Sequence, residues 1–181
     1  MITDLVFESA RLTMRPQRVS DAPALHEAYR DVALMRYWSC APHASVEDTV
    51  AYLAPRAEHA DWRGWTITLR GDDTALGTVA AGRRRAGVYE LGYMLARRHW
   101  GHGYAREAVT RLLDLLFREE GARRVFADVD PDNAPSNGLL TRLGFTLEGR
   151  LRGEWDTHIG VRDSLIWGML HDEWKRREEQ S

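Results

Sequence analysis

The segment that decides the fold runs Tyr89-Glu90-Leu91-Gly92-Tyr93-Met94-Leu95 and, after Ala96, continues Arg97-Arg98-His99-Trp100-Gly101-His102-Gly103-Tyr104-Ala105. Its first half alternates as a strand does, and two glycines then mark a turn. From Ala105 to Phe117, apolar residues recur at helical spacing, with charged residues outside that stripe. The segment therefore predicts a strand, a glycine turn and the start of a long helix.

The predicted helix start also predicts an anion site. A helix N-terminus leaves backbone N–H groups without partners and carries about half a positive charge. Gly101 and Gly103 let an anion approach those amides and let the turn adopt positive φ, while Arg97, Arg98 and Arg106 add full charges. We therefore expect a phosphate or pyrophosphate at the mouth of this helix.

The two common nucleotide loops do not match this turn. No Gly-Lys-Ser/Thr follows it, as the loop that binds nucleoside triphosphates requires. The dinucleotide fingerprint needs Gly or Ala three residues after its second glycine, and Arg106 stands there.

Composition points to an ordinary globular protein. The chain has 181 residues, 44% of them hydrophobic and 29% charged, with a net charge of −2. That length suits a single domain, so residues 1–181 are expected to form one. The mixed charges give no drive toward nucleic acid or an anionic membrane, so neither is an expected partner.

The cysteine and histidine content and the N-terminal sequence argue against several further classes of protein. Cys40 is the only cysteine, and no His-Glu-x-x-His pattern occurs, so we expect neither a disulfide nor a metal site. The N-terminus lacks the basic and apolar parts of a signal peptide, and no stretch approaches the roughly 20 apolar residues of a membrane span. We expect a cytoplasmic protein.

The remaining pattern predicts strands and helices around that central segment. A helix should start near Ser20, another should run from Ser45 to about Trp62 with a kink or break at Pro55, and the long helix should cover 103–120. A strand, a long helix and another strand imply parallel pairing through a crossover. The other predicted strands are 5–8, 11–15, 65–69, 76–82, 88–95, 124–129, 145–151 and 161–170.

A second motif follows the long helix. It runs Asp130-Pro131-Asp132-Asn133-Ala134-Pro135-Ser136, then Leu139-Leu140-Thr141-Arg142-Leu143-Gly144-Phe145, and Glu148-Gly149 comes shortly after. This motif, together with Arg98-x-x-Gly101-x-Gly103, resembles the two diagnostic segments of the GNAT superfamily of N-acetyltransferases. Within that superfamily, these segments look like those of the RimJ/RimL branch of ribosomal-protein N-terminal acetyltransferases. The likeness extends over nearly the whole chain.

The resemblance implies an α+β fold of three layers. The expected sheet is mixed and mostly antiparallel, has about seven strands that splay between the fourth and fifth, and carries helices on both faces. It also implies acetyl-CoA as cosubstrate, a primary amine as acceptor, and a monomer or homodimer. The implied cofactor-binding residues are Met94, Leu95, Arg98, Gly101, His102, Gly103, Tyr104, Ala105 and Asn133.

The resemblance assigns catalytic roles to Glu90 and Ser136. Glu90 is the implied proton acceptor, with a salt bridge to one of the many arginines as the alternative. Ser136 would offer its hydroxyl to the departing CoA sulfur, although both Asn133 and Ser136 are also preferred helix caps. The stretch Gly153-Glu154-Trp155-Asp156-Thr157-His158 is expected between the last two strands, either shaping the acceptor pocket or forming a plain polar hairpin loop.

These expectations favour an acetyl-CoA-dependent N-acetyltransferase. Its acceptor could be a protein N-terminus, such as that of a ribosomal protein, or a small amine. The rival hypothesis is a non-catalytic acyl-CoA-binding sensor or interaction module. Retention of both Glu90 and Ser136 favours the enzyme over the sensor.

Overall fold

The computed structural model describes residues 5–54 and 61–179, and within those ranges it contains eight strands that form one sheet. The strands are β1 (Phe7–Glu8), β2 (Leu12–Pro16), β3 (Trp62–Leu69), β4 (Gly77–Arg85), β5 (Val88–Leu95), β6 (Arg124–Val129), β7 (Thr146–Thr157) and β8 (Gly160–Leu170).

Six α-helices accompany the sheet in the described ranges. They are α1 (Ala22–Tyr29), α2 (Val32–Met35), α3 (Val46–Leu53), α4 (Tyr104–Asp114), α5 (Ala134–Arg142) and α6 (His171–Glu178). Short 3₁₀ turns cover Val19–Asp21 and Arg97–His99, and a π-helical turn at Leu115–Glu119 extends α4. None of the described helices combines the length and apolar character needed to cross a membrane.

The strands lie in the order β1-β2-β3-β4-β5-β6-β8-β7. Only β5 and β6 run parallel in the described sheet, and their register joins Val88 to Arg124 and ends at Glu90 and Phe126. Beyond that pair, the last five residues of β5 and the last three of β6 have no register between them. The sheet therefore opens between these two strands.

The predicted α+β class and the mixed, mostly antiparallel sheet are confirmed. The sheet has eight strands where the resemblance implied about seven, and Phe7–Glu8, within the predicted strand 5–8, pairs with β2 as the first of them. In chain order, the opening consequently lies between the fifth and sixth strands. That residues 1–181 form one domain stays a prediction.

Two apolar clusters place helices on both faces of the sheet. Strand alternation sends Tyr89, Leu91 and Leu95 into a cluster with buried residues of α4, α5 and α6. Met94 points the other way, into a cluster with buried residues of α1, α2 and α3. Burying a leucine-sized side chain contributes about 1.5–3 kcal/mol. Each cluster contains several side chains of that size, and their burial stabilises the packing of helices on both faces.

Helix α4 forms as its periodicity predicts. Ala108, Val109, Leu112 and Leu113 form its buried stripe. After the π-helical turn, Gly121 adopts a φ of 65°, and this left-handed residue ends the helix as the glycine there predicts. The helix therefore packs across β2, β4 and β5 with its N-terminus near the end of β5.

The helix predicted from Ser45 to Trp62 is wrong in extent. Ser45 does cap α3, its Oγ accepting a hydrogen bond from the Asp48 N–H at 3.2 Å, but α3 ends at Leu53. Pro55 lies outside the described residues. Trp62 already belongs to β3, where it pairs with Gly82 of β4. A Cβ on Gly82 would lie 2.7 Å from the Trp62 ring, so this glycine makes room for the tryptophan.

Candidate active site

The turn between β5 and α4 has the backbone that its glycines predict. Gly101 has a φ of 79° and Gly103 a φ of 80°, in the left-handed region that costs other residues about 1–2 kcal/mol. A Cβ built on Gly101 meets no atom within 4 Å, so the space beside this residue is open. The turn can therefore receive a ligand close to its main chain.

Helix α4 begins without a side-chain cap in the described chain. Gly103 is its N-cap residue, and the first intrahelical bond runs from the Glu107 N–H to the Gly103 carbonyl at 3.0 Å. Helix α5 is different, because the Asn133 side chain accepts a hydrogen bond from its first turn. The first amides of α4 thus remain available to an anion.

Side chains around the turn hold it in place. His102 Nδ1 lies 2.9 Å from the Trp100 carbonyl oxygen, and the His102 ring stacks on Tyr104 at 5.4 Å between centroids. The Arg11 guanidinium lies 4.9 Å from the centre of the Tyr104 ring. These contacts stabilise the segment in which the predicted binding residues lie. That segment comprises His102, the N-cap residue Gly103, and Tyr104 and Ala105 at the start of α4.

Arg98 lies next to the turn but is engaged elsewhere. Its guanidinium forms an ion pair with Glu27 of α1, and half of its side chain is exposed. Neighbouring Arg97 pairs in the same way with Asp31, the residue that caps α2. Exposed pairs of this kind are worth about 0–1 kcal/mol, so an anionic ligand can compete for Arg98.

At the end of β5, the Leu95 N–H faces the opening. The Ala96 N–H donates to the Leu76 carbonyl at 3.1 Å, on the β4 side of the strand. Because N–H groups alternate along a strand, the Leu95 N–H points the opposite way. The Leu95 carbonyl lies on that side too, where it accepts a hydrogen bond from Trp100 Nε1 at 2.9 Å. Of the predicted pair Met94 and Leu95, this geometry favours Leu95 as the donor.

Glu90 lies where its strand position predicts and forms a salt bridge. Its side chain is mostly buried, and its Oε2 accepts a hydrogen bond from Arg84 Nε at 2.7 Å. This is the alternative that the sequence left open for Glu90. The ion pair does not test its role in proton transfer, and that role stays a prediction.

The start of α5 lies close to β5. Asn133 Oδ1 accepts a hydrogen bond from the Ser136 N–H at 3.3 Å, which makes Asn133 the helix cap. The Tyr93 hydroxyl of β5 donates to the Ser136 carbonyl at 3.4 Å. Burial raises the pKa of Tyr93 to about 12, so it remains a neutral donor. Asn133 and Ser136 are thus held beside the strand that bears Glu90.

Sequence reasoning missed Asp128 on β6. Its carboxylate accepts hydrogen bonds from Trp155 Nε1 at 3.0 Å and from the Ser164 hydroxyl. Burial, together with the negative charges of Glu90 and Glu154, raises the pKa of Asp128 to about 6. The sequence contained a signal for this residue. In β6, buried residues alternate with Phe126 and Asp128, which places the Asp128 side chain on the face opposite to the buried residues.

The stretch predicted as a loop, residues 153–158, is mostly strand. Residues 153–157 belong to β7, and Trp155 pairs with Arg162 of β8. The turn of the hairpin is therefore shorter than expected and centres on His158 and Ile159. Trp155 contacts Asp128 rather than standing in a separate loop.

A metal site is not part of this arrangement as far as the chain is described. Residues 5–54 and 61–179 contain no group of three or more histidine, cysteine, aspartate or glutamate side chains placed to hold a metal ion.

Comparisons with known proteins agree on one family. Residues 11–146 match the family model described as "Acetyltransferase (GNAT) domain". The chain is 33% identical to the uncharacterized N-acetyltransferase p20 of Bacillus licheniformis over 169 residues, 91% of this chain and 95% of that protein. It is also 33% identical to the [ribosomal protein uS5]-alanine N-acetyltransferase of Escherichia coli over 75 residues, 38% of this chain and 39% of that protein.

A solved structure shows the same fold. The acetyltransferase (GNAT family) from Bacillus anthracis superposes with a TM-score of 0.83 at 23% identity, covering 93% of this chain and 99% of that one.

Proposed function

The chain belongs to the GNAT family of N-acetyltransferases, and on that premise we propose that it transfers an acetyl group from acetyl-CoA to a primary amine. The observation that carries the proposal for the donor is the uncapped start of α4, with Gly103 in the left-handed conformation and open space beside Gly101. These main-chain amides suit a diphosphate, and Arg98 lies three residues before Gly101.

The proposed cosubstrate supplies an activated acetyl thioester, and the chain's own residues do the rest. The N–H groups of residues 101–105 and the Arg98 guanidinium hold the diphosphate. The opening between β5 and β6 takes the extended arm, and the Leu95 N–H faces the carbonyl oxygen. Where such a donor has been removed from other enzymes, the loss was about 2.7–4 kcal/mol.

Asn133 and Ser136 complete the proposed donor side. Asn133 caps α5 and positions its first turn next to Tyr93 of β5. The Ser136 hydroxyl is the proposed donor to the departing sulfur, and the N-terminus of α5 favours the negative charge that develops there. The resemblance predicts that Glu90 takes a proton from the amine, and this role of Glu90 stays a prediction.

An α-amine is the acceptor class that this chemistry suits. A peptide α-amine has a pKa near 7.7–8.0, so forming its neutral form at pH 7 costs about 1 kcal/mol. For a lysine amine with a pKa near 10.4, the same step costs about 4.6 kcal/mol. The similarity to an alanine N-acetyltransferase acting on a ribosomal protein supports the same choice.

An acceptor screen tests this function. The protein is mixed with acetyl-CoA and peptides that begin with alanine or serine, with the same peptides blocked at the N-terminus but bearing lysine, and with small polyamines. Free thiol release and product mass are recorded. We expect amine-dependent thiol release, fastest with free N-termini. Binding of coenzyme A without thiol release from any amine would instead indicate a sensor.

A further inference from the structure

Asp128 lies at the point where the sheet opens. The parallel register between β5 and β6 ends at Glu90 and Phe126, and Asp128 is two residues beyond that pair on β6. Since side chains alternate along a strand, Asp128 and Phe126 share a face, and Glu90 lies on the same face of β5. The Asp128 carboxylate therefore borders the gap, further along it than Glu90.

The partners of Asp128 leave its charge uncompensated. Trp155 Nε1 and the Ser164 hydroxyl, both neutral donors, hold the carboxylate in position. No arginine, lysine or histidine within the described residues forms an ion pair with it. Glu90, in contrast, is bonded to Arg84 at 2.7 Å. A carboxylate already neutralised by a guanidinium is a weaker proton acceptor than one held only by neutral donors.

The charged groups around Asp128 act in one direction. Glu90 faces it from β5 and Glu154 from β7, and both disfavour its ionised form, while the Trp155 hydrogen bond from β7 favours that form. Burial is the largest cause, and together these effects raise the pKa of Asp128 to about 6. General bases work best when their pKa lies near the working pH, and the usual aspartate pKa near 3.9 is further away.

We propose that Asp128 is the group that accepts the proton of the acceptor amine at the opening between β5 and β6. This inference rests on the proposed acetyl transfer. The carboxylate takes one proton from the ammonium, and the freed nitrogen lone pair bonds to the acetyl carbon. The carbon–sulfur bond breaks, the second proton lost from nitrogen goes to sulfur, and Asp128 releases its proton to water.

The pH dependence follows from the protonation state required. The Asp128 carboxylate must be ionised, so kcat/KM for the acceptor falls as the pH drops through about 6. Removing the negative charge of Glu90 lowers the pKa of Asp128 and moves this acid limb to lower pH. Removing the Trp155 hydrogen bond has the opposite effect and moves the limb to higher pH.

The test compares kcat/KM against pH for the full-length wild type and three variants, using one acceptor throughout. Asp128→Asn keeps an oxygen for Trp155 and an N–H for Ser164, so the site retains its hydrogen bonds. We expect kcat/KM to fall about 100-fold or more and the acid limb to disappear, with unchanged coenzyme A affinity. Glu90→Gln should keep the limb at lower pH, and Trp155→Phe should keep it at higher pH.

The outcomes separate this inference from the proposed function. If wild type releases thiol but Asp128→Asn keeps its rate and acid limb, Asp128 is not the base and acetyl transfer still stands. Loss of the limb in Glu90→Gln, with the limb retained in Asp128→Asn, would give the role to Glu90. A wild type without amine-dependent turnover overturns both. If Asp128→Asn fails to fold, an unshifted limb in Trp155→Phe overturns the inference.

Discussion

The turn that begins α4 and the opening between β5 and β6 are built in different ways. The turn uses consecutive residues, 101–105, and its shape comes from glycine φ angles and from a helix N-terminus. The opening brings together Glu90, Asp128, Trp155 and Ser164 from four strands. The site proposed for the diphosphate is therefore encoded locally, whereas the site proposed for the acetyl group and the acceptor amine depends on the register of the whole sheet.

Substitution at two glycines with free space around them should separate the two regions. A Cβ at Gly92 in the opening or at Gly101 in the turn meets no atom within 4 Å. A methyl group can therefore be added at either place without a clash inside the protein. The regions are distinct if the change in the turn affects acetyl-CoA alone and the change in the opening has its larger effect on the acceptor.

The largest effect is expected in the opening. Gly92 lies between Glu90 and Met94 on the same face of β5, so a side chain there fills space that the acceptor needs. We expect Gly92→Leu to lower kcat/KM for the acceptor by about 100-fold and Gly92→Ala by much less, because affinity falls with each added methylene. Steady-state kinetics with varied acceptor measure this. Equal losses for acetyl-CoA would show that the two regions are not separate.

A smaller effect is expected in the turn. Gly101→Ala places a Cβ at a φ of 79° and between the ligand and the amides, so KM for acetyl-CoA should rise about 10-fold. Gly121→Ala is the matched control, because Gly121 also has positive φ and open space but lies at the other end of α4. Both variants should lose about 1–2 kcal/mol of stability in denaturant titrations. A raised KM in both would indicate strain alone.

The contrast explains what the sequence predicted well. Helix α4, the positive φ of Gly101 and Gly103, and the capping of α5 by Asn133 all depend on residues within one turn of each other. Local propensity and spacing suffice for such features.

Long-range pairing explains what the sequence did not predict. Residues 153–157 read as a loop because both faces of β7 are exposed there and no apolar alternation marks the strand. Trp62 read as the end of a helix because its partner Gly82 lies on another strand. Asp128 shows its alternation in the sequence, but only the register of β5 with β6 places it near Glu90.

A further prediction concerns Ser136, which lies at the start of α5 beside β5. Ser136→Ala should slow kcat by about 2- to 10-fold, the value of one ordinary hydrogen bond, with unchanged coenzyme A affinity. Asn133→Ala should instead lower stability by about 0.5–2 kcal/mol, because it removes the cap. Rapid kinetics and denaturant titration distinguish these roles. Full activity of Ser136→Ala would leave this serine with no part in catalysis.

The smallest effect concerns Arg98. Glu27→Gln releases Arg98 from its ion pair, and we expect coenzyme A to bind up to about 5-fold tighter at low salt, with the gain lost at high salt. Asp31→Asn is the control, since it releases Arg97 while still capping α2. Calorimetry measures both affinities. Equal tightening in the two variants would mean that Arg98 has no special role.

The most direct test of the division between turn and opening is a crystal structure with coenzyme A linked through its sulfur to an amine acceptor. We expect the diphosphate to accept hydrogen bonds from the amides of residues 101–105 and the amine nitrogen to lie against the Asp128 carboxylate. A diphosphate seated away from this turn, or an amine end that leaves Asp128 bonded only to Trp155 and Ser164, would contradict it.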